Sequence, residues 1–448
     1  MRTQIFLAST LYGAATLAAA LDAGCFPAAG RRLLLVSNNA AVPETTPPLD
    51  RMPGFERLRG RFDEVLSWNE TIRPHHPGGW SPRPDDVPLW ERQLRLLWGL
   101  GTPGAGPVEL VLESVQVNPA QALARVFPDA PIDVYADGLM SYGPTRNKLD
   151  PLIGGRVRRL LHPDLVPGLT PLLLTEFGVP PEVVPSGAFT AVFDDLAAHA
   201  PASAADRAGP GPAVLLGQYL SALDILTAEE EELLHVRMLR GAARLGHHRV
   251  VFKPHPVAPA RFSRTLEKEA GELGVQLTVL DEPLLAEVLF ARARPALVAG
   301  CFSTALVTAS AFHGLPVART GTETLLERLT PYENSNRVPV TLVDAALPDL
   351  DGPAVQHAAA PDAARLGPLV RAVGFCMQPK LYPQLRDEAA GYLAGHPDER
   401  DRYVKRRRLT SLQLPGGLAT QAAFLRRSPL ARRVVRRARA LGRREARR

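Results

Sequence analysis

Short apolar runs alternate with longer helical segments along most of this chain, and that alternation limits the fold more than any other feature. The run Gln4–Ala8 is followed by a helical segment over Ala14–Ala23, which Gly24 ends, and then by the run Arg32–Ser37. Such runs predict buried strands, and a strand, a helix and a strand in succession predict a parallel pair. A parallel α/β sheet is therefore expected from Gln4 onwards.

The alternation breaks in the middle of the chain and then restarts. The break is a Pro, Gly and small-residue stretch at 197–213, which is typical of a linker. We therefore predict a Rossmann-like domain at residues 1–200, a linker at 201–212 and a second Rossmann-like domain at 213–395. The two domains should face each other across a cleft, with a basic helical tail at 396–448. The later predicted strands are Phe62–Trp68 (strand or helix), Val108–Leu112, Ile132–Ala136, Arg156–Leu161, Ala213–Leu216, Arg249–Phe252, Val275–Leu280, Ala296–Ala299, Pro316–Arg319 and Val338–Val343.

The charge of the chain is concentrated at one end. Residues 401–448 contain 16 of the 52 Lys and Arg residues and two acidic residues, whereas the first 400 residues carry 36 basic and 44 acidic residues. A body that bound nucleic acid would itself be basic, so nucleic acid is not an expected partner. The three cysteines are far apart, which predicts no disulfide framework and a reducing, cytoplasmic compartment. No Cys/His cluster has zinc spacing, so no metal is expected.

The tail predicts a basic amphipathic helix. Between Arg426 and Leu441, apolar residues recur at helical spacing, and arginines occupy the remaining face. Such a helix suits an anionic membrane surface, so we expect residues 426–448 to make peripheral contact with the inner face of the membrane. An acidic polysaccharide would fit the same face, and a solvated charge run is the structural alternative.

A Lys and a His follow one predicted strand directly. Arg249–Phe252 is a β-branched and aromatic run. Pro254 and Pro256 cannot continue a sheet ladder, so His255 lies in a rigid loop just past the strand. Ligands of open α/β sheets bind at this carboxyl edge, where Lys253 and His255 suit a phosphate-bearing ligand. The alternative is a Pro-rich turn that carries a surface histidine.

A second candidate phosphate contact lies in the segment Gly300-Cys-Phe-Ser-Thr304, which follows a predicted strand and opens a helix. Gly300 allows a sharp turn off the strand. Ser303 and Thr304 stand at the helix start, where free N–H groups and the helix dipole attract an anion. Plain N-capping is the alternative. The His255 loop has the same strand-edge position, which favours a shared phosphate cradle.

A carboxylate occupies a comparable position in the first half of the chain. Asp137 and Gly138 directly follow the predicted strand Ile132–Ala136. A carboxylate at the end of a strand can face the cleft between the domains and act as a general base. A common Asp-Gly turn is the alternative.

These motifs, in this order and approximate spacing, resemble the Asp-Gly, His-Pro and Ser/Thr motifs of bacterial sialyltransferases, above all those of the α-2,8-polysialyltransferase-like family. The likeness covers about residues 1–345 and includes further segments. These are QIFLASTLYGAATLAAALDAG, Leu165–Leu169, Leu216–Leu220 and Tyr332–Asp344.

The resemblance implies a GT-B fold and a metal-independent, inverting transfer of sialic acid from CMP-sialic acid to a glycan acceptor, with no cofactor. It implies that Asp137 takes the proton from the acceptor hydroxyl. It implies that His255 stabilises or protonates the departing CMP phosphate, which Ser303 and Thr304 bind. Lys253 and Gly300 belong to the same expected donor site.

Four further residues are weaker candidates for the donor site. Glu287 can bind the ribose or the cytosine through its carboxylate, or it can be a solvated helix residue. Asn336 and Arg337, with Asn334, can hydrogen-bond the donor or brace the cleft. An Asx-rich turn before the predicted strand Val338–Val343 is the structural alternative.

Two other functions stay open from the sequence. Fold does not separate sialyl transfer from transfer of another nucleotide sugar, such as CMP-Kdo or a UDP-sugar. The alternative to an enzyme is a binding protein, namely a non-catalytic GT-B scaffold held on a membrane or an acidic glycan by its Arg-rich tail. The joint presence of Asp137, His255, Ser303 and Thr304 favours the enzyme. The stretch Pro43–Pro88 has no feature of the family, so the acceptor is not predicted.

Overall fold

A computed structural model describes residues 2–102, 106–209, 211–255, 258, 261–353 and 361–418 of the chain. The basic segment 426–448 lies outside the described residues, and its expected membrane contact therefore stays a prediction.

The first part of the chain alternates strands and helices, as its apolar runs predict. Its elements are β1 (Thr3–Ala8), α1 (Leu11–Asp22), β2 (Arg31–Val36), α2 (Phe55–Arg59), β3 (Glu64–Ser67), α3 (Trp68–Thr71), α4 (Val87–Leu97), β4 (Val108–Glu113), α5 (Ala120–Val126), β5 (Ile132–Tyr135), α6 (Pro151–Gly154), β6 (Val157–Pro163), β7 (Pro181–Val184) and α7 (Ser186–His199). The seven described strands pair in parallel in the order β3-β2-β1-β4-β5-β6-β7. The strand order reverses between β1 and β4, and such a reversal opens a crevice at the carboxyl edge of a sheet.

The predicted strand and helix near the start of the chain are confirmed. Helix α1 begins at Leu11, earlier than predicted, because the side chain of Thr10 caps it by accepting a hydrogen bond from Gly13 N at 2.9 Å. The alanines of α1 are almost wholly buried. Small side chains let this helix lie close to the sheet and to α7, which explains why it carries no clear polar face.

The second part repeats the alternation with a smaller sheet. Its elements are β8 (Ala213–Leu216), α8 (Ala228–Arg244), β9 (Arg249–Lys253), α9 (Arg261–Leu273), β10 (Gln276–Val279), α10 (Ala286–Ala293), β11 (Leu297–Gly300), α11 (Thr304–His313), β12 (Val317–Arg319), α12 (Thr322–Arg328), α13 (Arg337–Ala346), α14 (Ala363–Met377), α15 (Arg386–Gly395), α16 (Pro397–Tyr403) and α17 (Arg406–Leu412). The five described strands are parallel, in the order β10-β9-β8-β11-β12. Here the strand order reverses between β8 and β11.

One secondary-structure prediction is wrong. The sequence predicts a strand at Val338–Val343, but this segment lies within helix α13, and all six of its residues are buried. The β-branched residues of this segment favour a strand by local propensity. Burial on every side overrides that preference, because α13 packs against α12 and α14 and against the 3-10 helix Leu139–Tyr142 of the first part. Pro339 is tolerated because it lies in the first turn, where its missing N–H has no helical partner.

Helices from each part of the chain hold the two sheets together. Helix α7 packs against α1 on one side and against α10 and α11 on the other. The ring of Phe193 stacks on Tyr12, with centroids 5.8 Å apart, and Phe189 stacks on Phe312, with centroids 5.1 Å apart. Stacked aromatic pairs add to the apolar burial at this junction.

The C-terminal helices return to the first part of the chain. After α14, the hydroxyl of Tyr382 accepts a hydrogen bond from Thr145 N at 3.1 Å and donates to Glu176 Oε2 at 2.8 Å. Two parallel α/β units, facing one another and clasped by returning C-terminal helices, form the GT-B arrangement. The predicted fold class is confirmed, whereas the exact domain limits stay a prediction.

Candidate active site

The crevices at the two strand-order reversals lie at carboxyl edges of the sheets, where α/β proteins bind ligands. In the first, Ser9 N, just after β1, donates a hydrogen bond to Glu113 Oε2 at the end of β4, at 3.1 Å. In the second, Phe302 N, just after β11, donates to Gln218 Oε1, just after β8, at 2.9 Å. Each crevice is thus spanned by one backbone-to-side-chain hydrogen bond.

The Asp-Gly and Ser-Thr motifs meet across the cleft. Leu139 N donates a hydrogen bond to Thr304 Oγ1 at 3.4 Å. A Cβ atom on Gly138 would lie only 2.8 Å from the same oxygen, so no side chain fits between the two motifs. A second bridge runs from Arg146 Nη1 to Ser335 Oγ at 3.2 Å. Two motifs that are 165 residues apart in sequence therefore share one site.

Asp137 lines a cavity of about 300 Å³ on the first side of the cleft, together with Ser9, Glu113 and Tyr135. Gly138 is extended, with φ −158° and ψ −174°, so the segment is not the tight Asp-Gly turn that was the alternative. Burial raises the pKa of Asp137. A carboxylate with a raised pKa is a better proton acceptor near neutral pH than an exposed one.

Glu113 is a second cavity carboxylate, and sequence reasoning missed it. It is the last residue of β4, and its Oε2 accepts hydrogen bonds from Ser9 N at 3.1 Å and from the Tyr135 hydroxyl at 3.3 Å. Burial, with a further contribution from the charge of Asp137, raises the pKa of Glu113 to about 7. The only local signal was a glutamate at the carboxyl end of an apolar run.

We expect Glu113→Gln to flatten the pH dependence of stability. The folded protein favours the protonated form of Glu113, because its pKa rises from 4.5 unfolded to about 7 folded. This preference is fully present below pH 4.5 and is lost as the pH rises to about 7, by about 3 kcal/mol. Glutamine keeps an oxygen that accepts from Ser9 N but does not ionise. Urea unfolding between pH 4.5 and 7.5 measures the difference.

The exposed Glu267→Gln provides the control for this experiment, because it should follow the wild-type pH profile. Profiles for Glu113→Gln and wild type that run parallel would contradict a raised pKa at Glu113.

On the opposite side of the cleft, Ser303 and Thr304 open the ten-residue helix α11. Ser303 Oγ caps the helix by accepting from Ala305 N at 3.2 Å, which is the N-capping alternative, and its phosphate contact stays a prediction. Gly300 is buried as the last residue of β11. A Cβ there would lie 3.3 Å from Leu216 Cβ and from Leu306 Cδ1, so close packing, rather than the predicted sharp turn, favours a glycine.

Lys253 and His255 lie at the end of β9, next to the loop that follows β8. Lys253 is half-buried, and burial lowers its pKa. His255 is exposed beside Tyr219, with ring centroids 6.4 Å apart. Partial desolvation, followed by the charge of Lys253, lowers the pKa of His255, so its neutral form predominates at neutral pH.

The loop after β8 lies between the segment with Lys253 and His255 and the segment with Ser303 and Thr304, and sequence reasoning did not assign it a role. It lies between the loops that follow β9 and β11, and Gln218 is bonded to Phe302 N as described above. The fully buried Glu231 braces this loop by accepting from Leu220 N at 2.7 Å and from Ser221 N at 2.8 Å. Gln218 is therefore held beside the helix start that carries Ser303.

Three of the four weaker donor-site candidates are buried, namely Glu287, Arg337 and Asn336. Glu287 accepts a hydrogen bond from Thr308 Oγ1 at 2.7 Å, and burial raises its pKa, so it is not the solvated helix residue of the alternative. Arg337 donates to Tyr332 O at 2.7 Å and to Leu329 O at 2.8 Å and is wholly buried, which is the geometry of a bracing residue. Asn336 directly precedes α13 and is mostly buried. Donor contacts by these residues stay predictions.

Two features are absent from the part of the chain that the structure describes. No group of three or more His, Cys, Asp or Glu side chains there is arranged to hold a metal ion. No described helix is both long and apolar enough to cross a bilayer.

Two facing parallel α/β units, with motif residues from both meeting across the cleft, define the class of GT-B glycosyltransferases. Residues 4–321 match the family model for alpha-2,8-polysialyltransferase, and the chain belongs to that family. It is therefore a glycosyltransferase of the sialyltransferase type, which takes a nucleotide-sugar donor and a glycan acceptor. The resemblance seen in the sequence is confirmed.

The solved structures that resemble this chain include proteins with little sequence identity to it. No curated protein matches it significantly. Similar solved structures include the GT-B domain of a Photobacterium damselae sialyltransferase, with 12% identity over 77% of this chain and 96% of that chain and a TM-score of 0.39. They also include a Neisseria meningitidis UDP-GlcNAc 2-epimerase, with 11% identity over 87% of this chain and 93% of that chain and a TM-score of 0.44. Acinetobacter baumannii MurG has 12% identity over 87% of this chain and 94% of that chain and a TM-score of 0.39.

Proposed function

We propose that this protein transfers sialic acid from CMP-sialic acid to a hydroxyl group of a glycan acceptor, with inversion at the anomeric carbon and without a metal ion. The observation that carries the proposal is the contact between Leu139 N and Thr304 Oγ1. It brings the segment that carries the Asp137 carboxylate next to the start of helix α11, and the proposed reaction needs a base and a phosphate-binding group at once.

Asp137 is the base in this proposal. As the acceptor oxygen attacks the anomeric carbon, its proton passes to a carboxylate oxygen of Asp137, and the bond between that carbon and the phosphate oxygen breaks. CMP leaves with the bonding electrons on its phosphate. The raised pKa of Asp137 supports this role, because proton transfer is most efficient when the pKa of the base is near the working pH.

The donor-side residues stabilise the leaving group. Negative charge grows on the CMP phosphate as the bond breaks, and fixed donors placed there lower the barrier. The start of α11 supplies backbone N–H groups and the hydroxyls of Ser303 and Thr304. Neutral His255 can donate one hydrogen bond from its ring to the phosphate, and Lys253 adds a positive charge nearby. Glu287 is assigned to the ribose or the cytosine, and Asn336 and Arg337 support the cleft.

Thermal unfolding in the presence of CMP, UDP, GDP or ADP tests the donor class. A ligand that binds only the folded protein stabilises it, by about 3 kcal/mol at 100 times its Kd. We expect CMP alone to raise the Tm, and we expect Ser303→Ala to shrink that shift. Ser303→Ala also removes the N-cap of α11 and so lowers the Tm of the free protein. The quantity to compare is therefore the CMP-induced change in Tm of the variant and of the wild type.

Ser310→Ala is the matched control, since Ser310 lies on the same helix away from its start. It should keep the full CMP shift. A shift with UDP instead would replace the sialyl donor with a UDP-sugar, and no shift with any nucleotide would favour the non-catalytic scaffold.

A further inference from the structure

Arg146 lines the cavity of about 300 Å³ that also holds Asp137, and it is an exposed residue. It belongs to the segment between the 3-10 helix Leu139–Tyr142 and α6. One nitrogen of its guanidinium, Nη1, donates to Ser335 Oγ at 3.2 Å. A guanidinium carries five N–H donors in a planar fork, so this bond leaves most of them for a ligand in the cavity.

The backbone around Arg146 is fixed by side chains from other segments. Gln116 Oε1, in the loop after β4, accepts a hydrogen bond from Arg146 N at 2.5 Å. Gln378 Nε2, just after α14, donates to Arg146 O at 2.9 Å. The preceding residue, Thr145, is fully buried, and the hydroxyl of Tyr382 accepts from its N–H at 3.1 Å. These bonds restrain the main chain, so the origin of the Arg146 side chain is fixed relative to the cavity.

Ser335, the partner of Arg146 across the cleft, belongs to a hydrogen-bonded turn of the second part. Asn334 Oδ1 accepts from Asn336 N at 3.0 Å, and Asn334 O accepts from Arg337 N at 3.0 Å. Arg337 is wholly buried and braces the residues before this turn, as described above. Ser335 is therefore held in place, and it lines the same cavity as Arg146.

The proposed reaction brings a carboxylate to this cavity. The anomeric carbon of sialic acid carries a carboxylate, and that carbon must approach the hydroxyl whose proton Asp137 takes. The cavity already holds the carboxylates of Asp137 and Glu113, and like charges placed together are disfavoured, so a cation there favours an anionic sugar. A guanidinium can bind a carboxylate through two parallel, charge-assisted hydrogen bonds. An acceptor that ends in a sialic acid would present the same chemical group.

We propose that Arg146 binds a sialic acid carboxylate in the Asp137 cavity, and that Ser335 positions the guanidinium for that bond. Arg146 is then a specificity-determining residue, and Ser335 is a positioning residue. The inference rests on the proposed sialyl transfer. A sugar without a carboxylate does not complete the bond, so Arg146 discriminates against it.

Binding without turnover tests this contact. The probes are the 2-O-methyl α-glycoside of sialic acid and the same glycoside with its carboxylate converted to an uncharged carboxamide. Titrations of the full chain in the presence of CMP, read by saturation-transfer NMR, give the two Kd values. We expect the wild type to bind the acid at least about tenfold more tightly than the amide, because the bond to Arg146 is charge-assisted. Arg146→Gln should bind both glycosides alike.

The change in the ligand and the change in the protein form a double-mutant cycle. Their effects should not add, because each removes one partner of the same bond. Ser335→Ala should reduce the preference for the acid, and Ser335→Thr, which keeps a hydroxyl, should restore it. Arg59→Gln is the matched control and should keep the full preference, because Arg59 is exposed at the end of α2 and does not line the cavity. Additive effects would overturn the proposal.

Steady-state kinetics distinguish the two sources of the carboxylate. If it belongs to the transferred sugar, Arg146→Gln should raise the KM for CMP-sialic acid by about tenfold and leave the KM for the acceptor nearly unchanged. If it belongs to a sialylated acceptor, the KM for the acceptor should rise instead. Wild-type KM values for both substrates in Arg146→Gln would overturn the proposal.

The binding measurement also separates this proposal from the proposed function. Absence of CMP-sialic acid turnover by the wild type would contradict sialyl transfer. A preference for the acid that Arg146→Gln abolishes would still support Arg146 as a carboxylate-binding residue in that case. A wild type that shows no preference for the acid over the amide would overturn the role of Arg146, even where transfer takes place.

Discussion

Asp137→Asn is expected to lower sialyl transfer by roughly 10²–10⁴-fold, the usual contribution of a general base. Asparagine has nearly the same size and keeps a carbonyl oxygen at the cavity, but it does not take the proton of the acceptor hydroxyl. The loss should fall on kcat at saturating CMP-sialic acid and acceptor. The CMP-induced rise in Tm should be unchanged, because the donor phosphate is assigned to the other side of the cleft.

An exposed aspartate in the loop before a strand of the same sheet provides the control. Asp129 precedes β5, is exposed, and does not line the Asp137 cavity, so Asp129→Asn should keep wild-type kcat. Removing the partly buried carboxylate of Asp137 should also leave the fold at least as stable, since burial disfavours its charged form. A folded Asp137→Asn protein with wild-type kcat would remove Asp137 from the mechanism and leave Glu113 as the candidate base in the cavity.

Gly138→Ala is expected to lower kcat/KM by about 100-fold or more, without contact between the new methyl group and the reacting atoms. The backbone of Gly138 is extended, which alanine adopts freely, so the effect does not arise from backbone strain. It arises because the added Cβ would lie 2.8 Å from Thr304 Oγ1, where the two halves of the site touch. The cleft must open or Thr304 must turn away, and displacement of about 1 Å at a catalytic site costs on the order of 100-fold.

A double-mutant cycle with Thr304→Ala measures this contact. Removing Oγ1 removes the clash, so Gly138→Ala should lower activity far less in a Thr304→Ala background than in the wild type. Gly391→Ala is the matched control, because a Cβ there meets nothing within 4 Å on helix α15. Additive effects of the two substitutions would show that the cross-cleft contact is not needed for transfer.

Local patterns were sufficient to predict the strand ends that carry the motifs. The β-branched run before Lys253 and the prolines around His255 mark the end of β9 in any context, because proline cannot extend a ladder. Ser303 was recognisable at a helix start for a similar reason, since hydroxyls cap free N–H groups. These rules depend on a few neighbouring residues, so they operate without knowledge of the fold.

Residues defined by distant neighbours were not predictable in the same way. Glu113 matters because Ser9 and Tyr135 surround it, and Gln218 because Phe302 bonds to it across the sheet. Neither contact can be predicted from the residues that neighbour Glu113 or Gln218 in sequence. Val338–Val343 shows the opposite case, because its local preference for a strand is strong but misleading. The whole segment is buried as a helix instead.

By itself, the sequence determined two successive α/β units and the carboxyl-edge positions of Asp137, His255, Ser303 and Thr304, because period and turn chemistry are short-range properties. Only the tertiary structure decided that Gly138 and Thr304 touch, that Arg337 is buried as a brace, and that Glu113 lines the same cavity as Asp137. Those features depend on how two sheets and their returning helices pack together. Packing of that kind is set by contacts between residues more than one hundred positions apart, which no local pattern records.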